Sequence, residues 1–296
     1  MAKDLIIGGA SNYKYDDVKY WINSIKKSGF DGDIVLVVTN IVLAELEKIA
    51  EKGVQILAYG QKDNDGNYTS NSQMPPHVER FFHIWNFLNT TKEEYEFVVT
   101  TDVRDVVFQR NPMKFLRGDT FTGFVAAGEG LAYKDEPWGN NNYLQAFGPF
   151  FHNIIKDKEI YNVGVMAGEM DLVRDMLLMI LQLSVNRPIP IVDQAVYNFI
   201  LNTDVFKNRT EFFGNGSGWA CNLGTTLPAI VSGSGDIGQR NDPTAQLLYQ
   251  TKYLADQPII NEDGIVFNSY DMPFYIVHQY DRVAGLAEKI RAKYND

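Results

Sequence analysis

The sequence predicts an α/β fold with a central, mostly parallel sheet flanked by helices. Two patterns carry that expectation. In the first third of the chain, short apolar runs alternate with stretches of helical spacing, the order that right-handed crossovers between parallel strands produce. Helices and strands then keep mixing to the end, with no repeat and no low-complexity linker. Residues 1–296 are therefore expected to form one unit.

The elements can be justified in turn. "KDLIIGG" is an apolar run stopped by Gly8 and Gly9, a buried strand entering a loop or tight turn. "DDVKYWINSIKKSG" places Val18, Trp21, Ile22 and Ile25 on one helical face, with Asp16 or Asp17 as a cap and Gly29 at the helix end. "DIVLVVTN" is a second buried strand, "IVLAELEKIAEKG" a second helix and "VQILAY" a third strand. "GQKDNDGNYTSNSQMPP" is a polar loop whose composition suits a lid. "HVERFFHIWNFLNTT" is a helix, and "EFVVTT" a fourth strand ending at Asp102. Next, "TFTGFVAAGE" reads as a strand and "EPWGNNNYLQAFG" as turn-rich chain followed by a short helix. "IYNVGVMAG" is a strand interrupted by Gly164. "EMDLVRDMLLMILQLSV" and "IVDQAVYNFILN" are helices, the second starting near Asp193. Residues 214–240, with "GNGSGWACNLGTT" and "SGSGDIG", read as loops and short strands. "MPFYIVHQYDR" ends a strand on His278, and "VAGLAEKIRAKY" is a closing helix.

Composition narrows the function. A formal net charge of -10 repels phosphate backbones, which argues against nucleic acid as a partner. Cys221 is the single cysteine, so no intramolecular disulfide forms, which fits a reducing compartment. The start, "MAKDLIIGGASNYKYDD", turns polar too soon for a signal peptide. No apolar run approaches the ~18 residues of a spanning helix. A soluble, cytoplasmic protein without a membrane anchor is expected.

Ligands of open α/β sheets collect at the carboxyl ends of strands. Asp102 and Asp105 stand at such an end, with Arg104 between them. Mg²⁺ or Mn²⁺ needs only one or two carboxylates beside substrate phosphates and water, so this pair suffices for a diphosphate-bound cation. The bland alternative is a helix-initiating aspartate paired with Arg104. His278 also follows an apolar strand, and imidazole suits Mn²⁺. His77, His83 and His152 read as structural. Asp193 opens a helix, where Asp is a favoured N-cap. Trp138 beside amides in "EPWGNN" is a sugar-stacking combination, and Glu129 and Trp138 are acceptor-side candidates. Glycines at 8 and 9 do not complete a dinucleotide fingerprint, and no G-x-x-x-x-G-K-[ST] or G-x-S-x-G occurs. Cys221 lacks a local partner and reads as buried.

The order of these signals resembles the metal-dependent, nucleotide-sugar glycosyltransferases of the GT-A fold. A βαβαβ half comes first, then the strand ending in a carboxylate pair, "YNVGVMAG", "DQAVYN" and the late "VHQYDR". The likeness is nearest to retaining members of the glycogenin and galactinol-synthase kind. It implies a single GT-A, Rossmann-like domain, with residues 1–112 as the nucleotide-binding half and 113–296 as the donor-sugar and acceptor half. By that resemblance Asp102, Asp105 and His278 hold Mn²⁺ or Mg²⁺. Ala10, Ser11, Asn12 and Tyr13 line the base and ribose, and Arg80 faces the donor phosphates. Asn162 and Gly164 border the donor sugar, while Asp193 and Gln194 sit beside its anomeric carbon. The family spacing is D-x-D, and here the third position is Arg104, so Asp105 replaces it through a tighter turn or Asp102 binds the cation alone.

The implied reaction moves a sugar from a nucleotide-diphosphate sugar, UDP favoured, to a hydroxyl of a glycan, glycoprotein or small acceptor. The sugar develops oxocarbenium character, which Asp193 would stabilise or trap as a transient nucleophile. In a front-face reaction the departing phosphate itself takes the proton. Two rival classes stand beside this one. A sugar-1-phosphate nucleotidyltransferase would want a basic glycine-rich loop after the first strand. A non-catalytic sugar-binding protein would not keep Asp102, Asp193 and His278 in one pocket.

Overall fold

In the computed structural model, which describes residues 2–118, 123–232 and 256–296, the first five expected elements form in order. They are β1 (Lys3–Ser11), α1 (Tyr15–Lys27), β2 (Asp33–Thr39), α2 (Leu43–Ala50) and β3 (Gln55–Tyr59). The polar loop that follows carries a small hairpin, β4 (Gln61–Lys62) and β5 (Tyr68–Thr69). α3 (Pro76–Thr90) leads into β6 (Tyr95–Thr101), β7 (Val106–Phe108) and the short α4 (Met113–Leu116). Then come β8 (Phe124–Ala132), α5 (Pro137–Ile155), β9 (Glu159–Glu169), α6 (Met170–Ser184), α7 (Asp193–Leu201) and α8 (Asp204–Lys207). The rest are β10 (Thr210–Phe213), β11 (Ala220–Asn222), α9 (Leu227–Ser232), β12 (Ile259–Ile260), β13 (Val266–Phe267), β14 (Ile276–His278) and α10 (Leu286–Lys293). Thr120 to Thr122, the start of one expected strand, and residues 233–240 of the glycine-rich stretch lie outside the described residues.

The central sheet has seven strands in the order β10-β8-β9-β6-β1-β2-β3. Only β9 runs against its neighbours β6 and β8. A second sheet, β11-β14-β7, stands beside it. There β14 runs parallel to β11 and antiparallel to β7. One apolar cluster fills the space between the central sheet and α3, α6 and α7. Another lies on the opposite face beneath α1, and a third under α10. Val18, Trp21, Ile22 and Ile25 of α1 are fully buried, as their helical spacing requires. Among the described residues no helix is long and apolar enough to cross a membrane.

Several local expectations need correction. β1 does not stop at Gly8 and Gly9 but runs on to Ser11. These glycines make room rather than a turn. A Cβ on Gly8 would stand 2.3 Å from Val103 Cγ1, and one on Gly9 would stand 2.8 Å from Arg80 Cβ. Gly164 likewise leaves β9 unbroken. The turn-rich segment before the middle of the chain is instead a 19-residue helix, α5, kinked where Gly148 adopts φ 77° ahead of Pro149. Its N-cap is Glu136, whose carboxylate accepts from the N–H groups of Trp138 and Gly139.

The Gly8 contact makes a direct prediction. Gly8→Ala should lose about 1–3 kcal/mol of stability through overpacking, since Val103 and the Thr101 carbonyl close the space. Denaturant melts of the two proteins measure it; an unchanged midpoint would show that the turn bearing Asp102 gives way freely.

Candidate active site

A cleft of about 890 Å³ opens over the carboxyl ends of β1, β2 and β6, within the size range of small-molecule sites. Of the residues singled out in the sequence, Ala10, Ser11, Tyr13, Arg80, Asp102, Asp105, Glu129, Trp138, Asn162, Gly164, Asp193, Gln194 and His278 all line it. Asn12 does not: it takes φ 60° just past β1, and its amide donates to Ser11 Oγ at 3.3 Å.

Asp102, Asp105 and His278 converge, with one ligand atom from each lying within 4.8 Å of the others. Their backbone forces the meeting. β7 pairs antiparallel with β14, setting Val106 opposite His278. The chain then turns at once, because Gln279 adopts a left-handed φ of 58°. That turn lets the Gln279 N–H donate to the Asp105 carbonyl (2.8 Å), and the Tyr280 hydroxyl donates to the Arg104 carbonyl (2.9 Å). On the other side, the Asp102 N–H donates to the Gly164 carbonyl at 2.9 Å. The turn from Asp102 to Asp105 is thus held at both ends. Arg104 leaves the group: its side chain is half exposed and reaches Asp281 at 3.8 Å. Asp105, not Arg104, is the side chain that joins Asp102 and His278.

The imidazole has one orientation that satisfies its surroundings. Asn222 Nδ2 donates to the carbonyls of Gly128 (3.1 Å) and Ala127 (3.4 Å), so Asn222 Oδ1 faces His278 Nδ1 at 3.0 Å. Nδ1 therefore carries the proton, and Nε2 presents its lone pair to Asp102 Oδ2 (3.5 Å) and Asp105 Oδ2 (3.9 Å). Burial pushes His278 below the ordinary imidazole range, which keeps the ring neutral. Three electron-pair donors aimed at one point repel each other unless a cation stands between them. Two carboxylates and one imidazole nitrogen make a donor set that suits Mn²⁺ or Mg²⁺. Gly164 is part of this arrangement, for a Cβ there would stand 2.5 Å from His278 Cε1.

Arg80, near the start of α3, is shared between two carboxylates. It donates to Asp102 and also reaches Asp193 Oδ2 at 3.5 Å. Asp193 is the first residue of α7 and makes no capping hydrogen bond; the N-cap is Val192. The capping reading of Asp193 is therefore replaced by a buried ion pair across the cleft. A second network lies beside it. Asn162 Nδ2 (2.7 Å) and Gln194 Nε2 (3.2 Å) both donate to Glu129 Oε1, and Asn162 Oδ1 accepts from the Gly164 N–H at 2.7 Å. Glu129 thus sits with the donor-side candidates, while Trp138 stands half exposed at the mouth. His77 and His83, read as structural, also line the cleft, whereas His152 pairs with Asn140 at 2.6 Å. The sequence did not single out Asn222, Gln279, Glu79 or Glu136, because nothing in their neighbours marks them.

No protein-family model matches the chain, and no curated protein matches it by sequence. Solved structures do. The apo structure of WbbM, a bifunctional glycosyltransferase, superposes with a TM-score of 0.59 at 11% identity. It is covered by all of this chain, which spans only 50% of its length. The galactosyltransferase LgtC, in complex with donor and acceptor sugar analogues, gives 0.54 at 13% identity, with 98% of this chain and 95% of that chain covered. An active-site variant of LgtC gives 0.53 over the same shares. At such identities the likeness is one of fold, and the GT-A fold implied by the order of motifs is the one the chain adopts.

Two substitutions separate the metal group from general packing. Asn222→Ala removes the group that orients His278 and should weaken Mn²⁺ binding by about 10–100-fold, the usual cost of losing an outer partner of a ligand. Gly164→Ala pushes on the ring directly and should act the same way. Calorimetric Mn²⁺ titrations, with melting temperatures as the folding control, measure both.

Proposed function

We propose that the chain is a glycosyltransferase that moves a sugar from a nucleotide-diphosphate sugar to a hydroxyl acceptor with retention, using a divalent metal. The observation that carries this reading is the convergence of Asp102, Asp105 and the lone pair of His278 Nε2 in a cleft at the strand ends. A diphosphate leaving group needs a cation at that place. When bound there, a divalent metal neutralises the charge that grows on the departing oxygens. Fold-level analogy favours UDP over GDP.

The chain's own residues take the remaining work. Ala10, Ser11 and Tyr13 line the nucleoside end, and Asp102, Asp105 and His278 hold the metal. Arg80 steadies both Asp102 and Asp193. Gly164, bare of a side chain, and Asn162, whose amide is fixed by Glu129, border the sugar. Asp193 and Gln194 stand at the anomeric carbon, where the Asp193 carboxylate stabilises positive charge on the ring. An acceptor hydroxyl enters past Trp138, whose exposed ring offers a stacking face. Residues 1–112 form the nucleotide half of one domain and 113–296 the sugar and acceptor half. The rival nucleotidyltransferase reading loses support because Gly8 and Gly9 sit inside β1 instead of forming a phosphate loop.

Titration of UDP and GDP with Mn²⁺ present tests the reading, and EDTA should abolish nucleotide binding. GDP binding without UDP binding would reverse the base preference, and no binding of either would remove the assignment. Asp193→Asn should cut turnover roughly 100-fold or more while nucleotide affinity holds, because the lost interaction belongs to the transition state; loss of the buried pair with Arg80 lowers the melting temperature, so turnover is compared well below it. Near-normal turnover would leave a front-face reaction in which the departing phosphate takes the acceptor proton.

A further inference from the structure

The two faces of β1 present different residues to the cleft, so two sides of it can be told apart. Leu5 and Ile7 pack into the cluster beneath α3, while Ile6 and Ala10 pack into the opposite one. Strand alternation therefore turns Gly9 toward α3 and Ala10 away from it. Ala10, Tyr13, Val103 and Arg104 line one side. Gly9, Val37, Thr39, Glu79, Arg80 and His83 line the α3 side, with Ser11 at its edge, where the Ser11 hydroxyl accepts from Asn40. Arg80 links this α3 side to Asp102 and Asp193.

The α3 side contains a buried carboxylate. Glu79 is only 6% exposed. Its Oε1 accepts from the Ser70 hydroxyl (2.9 Å) and from His83 Nε2 (3.2 Å). Its Oε2 makes no hydrogen bond among the described residues, and neither does the Thr39 hydroxyl. A carboxylate oxygen has two lone pairs to fill. His83 does not cancel the charge: it stacks on Tyr59 at 4.0 Å, and burial pushes it below the ordinary imidazole range, so it stays neutral. The other basic group on this side, Arg80, is already shared between Asp102 and Asp193.

The geometry points to a donor-sugar subsite on this side, in which Glu79 and Thr39 bind sugar hydroxyls and Glu79 excludes sugar acids. The inference rests on the glycosyltransferase reading, which puts the anomeric carbon near Asp193 and hence the sugar on the α3 side of β1. A hydroxyl or hydroxymethyl group donates to Glu79 Oε2. A uronate carboxylate in its place meets a like charge, and the neighbouring Arg80 is drawn to Asp102 and Asp193, its Nε alone unpartnered and buried. The donor class is a nucleotide sugar with an uncharged hexosyl group.

The test uses the full chain with Mn²⁺ and calorimetric titration of UDP, UDP-glucose, UDP-glucuronate, UDP-galactose and UDP-galacturonate. Each sugar pair differs at one carbon, hydroxymethyl against carboxylate. The neutral member of at least one pair should bind about tenfold or more tighter than its acid, since juxtaposed like charges are strongly discriminated. Glu79→Gln keeps the acceptor oxygen for Ser70 and removes the charge; it should shrink that gap to about threefold or less and leave UDP affinity unchanged. Thr39→Val, close in shape, should weaken the neutral sugar nucleotide several-fold without affecting UDP. Equal binding of sugars and acids by the wild type, or an undiminished gap in a folded Glu79→Gln protein, would overturn the subsite. The same titrations with GDP, GDP-mannose and GDP-mannuronate apply if GDP is the base bound. Absence of binding by either nucleotide would remove the transferase reading and the subsite together.

Discussion

The antiparallel pairing of β7 with β14 is the constraint on which the candidate site depends. Three Lewis-basic groups do not gather by themselves in a cleft, since their lone pairs repel. Here the backbone gathers them. The ladder sets Val106 opposite His278, and the hydrogen bonds from Gln279 and Tyr280 fix the carbonyls of Asp105 and Arg104. Those bonds specify which side chain of the turn faces inward. With the Asp105 carbonyl held outward to Gln279, the Asp105 carboxylate swings toward His278, and Arg104 is left to the surface. The tight turn that would let D-x-x-D do the work of D-x-D is a consequence of this small sheet.

Missing side chains matter as much as present ones. Gly8 lets Val103 close over β1, Gly9 lets Arg80 descend toward Asp102, and Gly164 lets the Cε1–Nε2 edge of His278 approach β9. In each case the backbone is ordinary strand, so φ is not the reason for glycine. Close approach is the reason, and it makes the three glycines part of one device that brings ligands down onto the sheet. An interior strand glycine costs some stability on its own, which is reasonable only where another group needs the space.

How much of this could be read in the sequence follows from the range of each interaction. The strands and helices of the first hundred residues were legible because period and punctuation are local signals. So were the strand ends at Asp102 and His278. β7 and β10 were not, since three or four residues carry no period and their partners lie far along the chain. The glycines of β1 and β9 looked like breaks because nothing nearby in sequence shows what packs on them. Asp193 looked like a cap because Arg80, its actual partner, sits more than a hundred residues away in the chain. Asn222 was silent for the same reason, although it decides which nitrogen of His278 is free. α5 was shortened in the reading because Gly139 and a run of asparagines depress helix propensity, whereas burial of Tyr143 and Ala146 and the Glu136 cap outweigh it.

The charge balance of the cleft then orders the events of binding. Six carboxylates line it (Glu79, Asp102, Asp105, Glu129, Glu136 and Asp193) against three guanidinium groups, on Arg80, Arg104 and Arg282. Arg80 is already divided between two of the carboxylates. A diphosphate entering such a cleft alone meets a net negative field at short range, where low dielectric magnifies repulsion. A divalent cation placed between Asp102, Asp105 and His278 reverses the sign of the field at that point. On the glycosyltransferase reading proposed above, donor affinity would be coupled to metal affinity, and by linkage the donor would tighten the metal by the same factor. Such coupling would let an acidic protein hold a phosphate ligand, and on that reading Asp105, Asn222 and Gly164 would matter to the nucleotide as much as to the ion.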